Sequence, residues 1–151
     1  MRDATIRSLP IPETAMRRRL LACAAGLAAA PVLRAEPVRA RVVVQVSDAD
    51  PARWNLALNN VRNLQEDLGA GGVEIEVVAY GPGIGMLRLD AVANSRVSEA
   101  VKAGVRVAAC ENTMRNQKLA RADMHPQIAY VASGVVEIVR RQQEGWAYLR
   151  P

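Results

Sequence analysis

Residues Arg41 to Ser47 read RVVVQVS and run directly into Asp48-Ala49-Asp50-Pro51. A β-branched run that is apolar at successive positions describes a strand buried on both faces, as the strands of parallel sheets are. Parallel strands need a long crossover, usually a helix, and the next residues supply one. Asp50 is a helix-capping residue type, Pro51 suits a first turn, and Trp54, Leu58, Val61, Leu64 and Leu68 recur at helical spacing to form one apolar face. Asn55, Asn59 and Asn63 line another face, Gly69 closes the helix and Gly71-Gly72 turn the chain.

The same alternation continues to the end of the sequence. Val73 to Tyr80 forms a second strand, followed by the loop Gly81-Pro82-Gly83-Ile84-Gly85. A helix is predicted from about Asn94 to Ala103, with Val97, Ala100 and Val101 facing inward and Gly104 as its stop. Val105 to Ala109 is a third strand that delivers Cys110 at its C-terminal end, and Asn112 caps a helix reaching about Arg121. Ile128 to Val131 is a fourth strand, Ser133 caps a helix bearing Val135, Ile138, Val139 and Gln142, and Trp146 to Leu149 is a short fifth strand. The order βαβαβαβαβ over residues 41–151 predicts an α/β domain, a three-layer α/β/α sandwich with a mainly parallel five-stranded sheet. Val, Ala and Met dominate several helix faces, which leads us to expect a homo-oligomer.

The segment ahead of this domain differs in character. Arg17-Arg18-Arg19 precedes an uncharged Ala- and Leu-rich run from Leu20 to Leu33, then Arg34-Ala35-Glu36-Pro37. A positive head, a short apolar stretch and a small residue at a cut point make up an export signal, so residues 1–35 are expected to be a leader and 36–40 a linker. Arg17-Arg18-Arg19-Leu20-Leu21, two arginines, any residue and two apolar residues, resembles a twin-arginine signal, with the general secretory route as the alternative and Met16 as an alternative start. The fourteen-residue run is too short to span a bilayer. Leu20-Leu21-Ala22-Cys23 has the outline of a lipoprotein box, but almost no apolar residue separates it from the arginines, so no membrane anchor is expected in the mature form.

The leader also changes the meaning of the charge. The whole chain carries 20 basic and 15 acidic residues, a formal charge of +5 that would suit nucleic acid. Cleavage after Ala35 removes six arginines (Arg2, Arg7, Arg17, Arg18, Arg19, Arg34) and two acids (Asp3, Glu13), leaving 14 and 13. A nearly neutral domain with no Phe and few Trp or Tyr gives no reason to expect a nucleic-acid partner. Cys23 leaves with the leader, so Cys110 is the lone cysteine of an exported, expectedly periplasmic, domain. One histidine and so few cysteines exclude a His/Cys metal cluster, and no cofactor is expected.

Cys110 is the first candidate for chemistry. Ligands of open parallel sheets bind outside the carboxyl ends of the strands, and Cys110 lies at such an end just before a predicted helix N-terminus. Free backbone N–H groups there favour an anion and lower a thiol's pKa, although neighbouring Glu111 acts in the opposite sense. The alternative is a small buried hydrophobe that only packs. His125, before Pro126 in the loop ahead of the fourth strand, is a candidate base beside the thiol or a solvated loop histidine. Asp48 and Asp50 end the first strand and are candidates to line the same pocket, with capping as the simpler role for Asp50. The glycine loop lacks the full spacing of a dinucleotide fingerprint, and Pro82 removes a donor, so a turn is expected there. Arg140-Arg141 reads as a solvated helix end.

Three stretches carry a family resemblance: Val105-Arg106-Val107-Ala108-Ala109-Cys110-Glu111-Asn112-Thr113-Met114, Ser133-Gly134-Val135-Val136-Glu137-Ile138-Val139, and the closing Gln143-Glu144-Gly145-Trp146-Ala147-Tyr148-Leu149-Arg150-Pro151. From Arg41 to Pro151 the chain resembles the DsrE/DsrF-like family of sulfur-relay proteins. The resemblance implies a five-stranded α/β sandwich assembled as a trimer or hexamer. It also implies a sulfur carrier or sulfurtransferase that holds sulfur as a persulfide on Cys110, with Asn112 and Thr113 available to hydrogen-bond it and a sulfane-sulfur donor or acceptor as partner. The export signal departs from the cytoplasmic members. Two other readings stand beside it: a non-catalytic small-molecule-binding or scaffold protein in which Cys110 only packs, and a nucleotide-binding module resting on the glycine loop.

Overall fold

The computed structural model describes residues 39–151; the segment expected to be an export signal and most of the expected linker lie outside the described residues. The β-branched runs form strands β1 (Ala40–Val46) and β2 (Val73–Ala79), with β3 (Arg106–Cys110), β4 (Ala129–Val131) and β5 (Ala147–Leu149) completing a sheet in the order β4-β3-β2-β1-β5. All its neighbours pair in parallel, so the expected α/β sandwich is the observed fold. Register pairs Val43 of β1 with Glu76 of β2 and Gln45 with Val78, and sets Glu76 in turn opposite Arg106 of β3.

Between the strands run α1 (Pro51–Leu68), α2 (Asn94–Lys102), α3 (Glu111–Asn116) and α4 (Gly134–Gln143). Asp50 caps α1 as its residue type predicts, its Oδ1 accepting the Ala52 N–H at 2.8 Å. Trp54, Leu58 and Val61 are buried and Leu64 packs against the core, but the predicted apolar face ends there: Leu68 is exposed in the last turn. The asparagine face of α1 meets α2, where Arg96 donates to Oδ1 of both Asn55 and Asn59 at 2.7 Å.

Two core clusters flank the sheet. The larger holds Val42, Val44, Val46, Ile75, Val77, Val107 and Ala109 together with side chains of α1, α2 and Met114 of α3. The smaller, on the opposite face, joins Val43, Val78, Ala108, Val131 and Trp146 to Ile138 of α4. The topology explains this division. The path from β1 to β4 steps in one direction across the sheet, while the step from β4 to β5 returns to the far edge; crossovers of a single hand must then put α4 on the opposite face.

Three sequence expectations are corrected. The helix after β3 has Cys110, not Asn112, at its N-cap and ends at Asn116, because Lys118 adopts a left-handed conformation at φ 55° and the chain turns into a 3-10 segment at Arg121–Asp123. The loop from Gly81 winds as a 3-10 helix to Leu87, and Gly83 lies so close to β1 that a Cβ there would stand 2.4 Å from the Val46 carbonyl oxygen. Arg140-Arg141 is not simply a solvated end. Arg140 is half exposed, but the Arg141 side chain is only 16% exposed; its Nε sits 2.5 Å from Oε2 of the fully buried Glu76, and its guanidinium covers the Trp146 ring at 4.6 Å.

Ile138 is the one large apolar side chain that α4 buries, and burying such a group contributes about 1.5–3 kcal/mol. Removing one partner of a buried ion pair costs about 3–5 kcal/mol, so the contacts of Glu76 matter to this helix at least as much as its apolar seat.

Candidate functional site

Cys110 occupies a defined place in the sheet. After β3 the chain passes to the face of the larger core, where α3 packs; after β4 it passes to the other face, where α4 packs. Neighbouring strands whose crossovers leave toward opposite faces open a crevice between their carboxyl ends, and Cys110 stands at it, opposite Val131 of β4. The side chain is 4% exposed.

Burial pushes the Cys110 thiol pKa up. A hydrogen bond from the Thr113 hydroxyl and backbone N–H groups of Gly134, Thr113 and Asn112 act against it and prevail, so the thiol is more acidic than usual. These donors come from two helices. Asn112 and Thr113 open α3, and Gly134 opens α4 on the other side of the crevice. The Thr113 hydroxyl is itself oriented, because its oxygen accepts the Gly81 N–H at 2.9 Å and this leaves its proton free to point at sulfur. The crevice is narrow: the Asn112 N–H also reaches the Ala132 carbonyl at 3.2 Å, and a Cβ on Gly134 would stand 3.0 Å from Cβ of Tyr80. Glu111, the carboxylate beside the sulfur in sequence, is paired with Arg121 at 2.7 Å.

The other candidate residues are distributed differently. Thr113 is buried against the sulfur and Asn112 contributes its backbone, while the Asn112 side chain is exposed and accepts from Arg115. His125 lies in another cluster. It is 2% exposed, its Nε2 shares a hydrogen bond with Ser98 Oγ at 2.7 Å, its Nδ1 accepts the Gln127 N–H at 3.2 Å, and its own N–H donates to the Leu87 carbonyl. Desolvation lowers its pKa and keeps it neutral. Asp48 lies two residues past β1, where its carbonyl accepts the Trp54 indole N–H at 2.7 Å and its carboxylate faces Arg150 at 3.6 Å. Asp50 is spent on its cap. Among the described residues no three His, Cys, Asp or Glu side chains gather as a metal site, and no helix is long and apolar enough to cross a membrane.

The DsrE/DsrF-like family pattern matches residues 40–151. The chain belongs to that family. A protein of unknown function from Methanobacterium thermoautotrophicum is 46% identical over 74% of this chain and 99% of its own, with a TM-score of 0.71. Two more distant structures share the fold of this DsrE-like domain. A conserved protein of unknown function from Bacteroides thetaiotaomicron has 13% identity and a TM-score of 0.61 over 74% of this chain and 94% of its own. The ychN protein of E. coli has 11% identity and a TM-score of 0.61 over 75% and 99%. No curated protein matches the chain.

Two groups around Cys110 escaped the sequence reading. Gly81 and Gly134 act through backbone N–H groups, one on Thr113 and one on the sulfur. A glycine directly after the Ser133 cap was the available sign that backbone comes close there, but only the strand order shows what it approaches.

Proposed function

We propose that Cys110 is a persulfide-carrying site and that the protein acts as a sulfur carrier or sulfurtransferase. The observation that carries this reading is the place of one thiol at the sheet's crevice, between the first turns of α3 and α4 whose donors act on it. Such donors stabilise a thiolate before transfer and an anionic persulfide after it. The thiol proton leaves to solvent, and the thiolate sulfur attacks the outer sulfur of a donor persulfide. The new Cys110 S–S bond forms as the donor's S–S bond breaks, and the donor departs as its thiolate. Charge is conserved, no external oxidant is needed, and a thiolate acceptor then takes the sulfur by the same step.

Incubating the protein with a sulfane-sulfur donor is expected to add the mass of one sulfur to the Cys110 peptide, and Cys110→Ser to abolish the adduct. A wild-type thiol left unmodified by persulfide, polysulfide and thiosulfate donors alike sinks the proposal. The burial of Cys110 supports the rival reading, a scaffold protein in which the cysteine only packs. A thiol that alkylates only after unfolding favours that rival. The carrier reading goes with an exported, periplasmic homo-oligomer whose partners are a sulfur donor and acceptor. Val135, Val136 and Val139, exposed on α4, are the apolar surface we assign to assembly.

A further inference from the structure

The helix that brings Gly134 to the sulfur is anchored at its other end by charge. Glu76, on the α4 side of β2, is fully buried; Arg106 of β3 approaches its Oε1 at 3.1 Å and Arg141 of α4 its Oε2 at 2.5 Å. Neither N–H lies along its contact, so the carboxylate is held by charge without an aligned hydrogen bond. Arg141 also reaches Glu137 at 3.1 Å, which is shared with Arg140 at 2.6 Å, and both arginines reach Glu144. Arg41 of β1 closes the group by donating to the Glu144 carbonyl at 2.7 Å. These are the charged groups around Glu76 from every element packed on it.

The two ends of α4 are matched to two points on one strand. Seven residues of helix from Gly134 to Arg141 span about 10 Å. The four residues of β3 from Arg106 to Cys110 span about 13 Å. A rigid helix pinned over Arg106 and Glu76 therefore brings its first N–H over Cys110.

We propose that Glu76, acting through Arg141, is a positioning residue for Cys110: the buried ion pair sets the seat of α4 on the sheet and so holds the Gly134 N–H against the sulfur. The inference rests on reading Cys110 as a working thiolate. Glu76 touches neither the sulfur nor a sulfur donor, and takes no proton in the transfer.

The test is the pH profile of Cys110 carboxymethylation in the folded full chain, with hydrogen exchange of the α4 amides read alongside. Glu76→Gln removes a negative charge, which by electrostatics alone would lower the thiol's midpoint; lost positioning raises it. Arg141→Lys leaves the charge unchanged and removes the planar bridge between Glu76 and Glu137. Each variant is expected to raise the midpoint by about one pH unit, a tenfold loss of thiolate at neutral pH, the scale of one hydrogen bond to a charged group. Exchange should quicken in residues 134–143 ahead of the rest of the sheet. Val61→Ala, in the opposite core, should lower the melting temperature and leave the midpoint in place.

An unmoved midpoint in Arg141→Lys overturns the proposal, and that variant decides if Glu76→Gln fails to fold. Should wild-type Cys110 take up no sulfur, the persulfide reading falls, while the midpoint shift still settles the role of Glu76.

Discussion

Thr113 shows how one hydroxyl serves two purposes. It accepts the Gly81 N–H and donates to Cys110, so it ties the loop after β2 to the sulfur. Thr113→Val keeps the shape and removes both functions. A hydrogen bond to a charged group is worth about 1.5–3 kcal/mol, so the thiol midpoint is expected to rise by about one to two units, read by the pH dependence of alkylation. The stranded Gly81 N–H should cost about 1–3 kcal/mol in denaturant unfolding. Thr113→Ser should restore the midpoint. The place of Cys110 was legible in the sequence because a strand end running into a helix is a local pattern, whereas Thr113 was named only through the family resemblance. His125 was legible only as a titratable side chain in a loop. Its partners Ser98 and Leu87 lie far back in the chain, and they make it part of the packing.

At the scale of elements, β1, α1 and β2 follow their patterns almost residue for residue, since period, cap and stop are all written within a few positions. The helix after β3 does not. Its capping signal at Asn112 was outweighed by the β3 strand continuing to Cys110, and its end is set by a turn at Lys118. The inward turn of Arg141 was illegible for a different reason: its partner Glu76 lies two strands earlier, and nothing near either residue records the other. Only the ladder of β2 and β3 pairs Glu76 with Arg106. The N-terminus of α4 offers a direct check. In Gly134→Ala the new methyl meets Tyr80 at 3.0–3.2 Å, tight enough that helix or ring must shift. Overpacking of this kind costs about 1–3 kcal/mol. The loss should appear in thermal melts, and sulfur uptake at neutral pH should slow several-fold while Ala at the exposed Gln142 leaves it unchanged.

For the whole molecule, buried His125 sets a pH limit. Its folded pKa lies below the ordinary value of 6.5, so as pH falls through that value the unfolded chain binds a proton that the native chain refuses. Stability is therefore lost on the acid side of about 6.5, by at most about 1.4 kcal/mol per pH unit. Glu76 works in the opposite sense, because burial raises its pKa against the pull of Arg106 and Arg141, so a native state that keeps the proton gains as the solution turns acid. Melting temperatures across this range should fall with acidification in wild type and fall less steeply in His125→Asn; parallel slopes would remove His125 from the account.

The strand order also has a reading in time. A chain leaves the ribosome N-terminus first, so β1, β2 and β3 can meet while the segment carrying α4 and β5 is still being made. Until that segment arrives, the sulfur has only the donors of its own helix and of Thr113, and Glu76 waits without Arg141. The nascent chain thus carries a less acidic thiol through the stage when it is least protected from stray oxidants, and the sulfur gains its last donor with the closing of the domain.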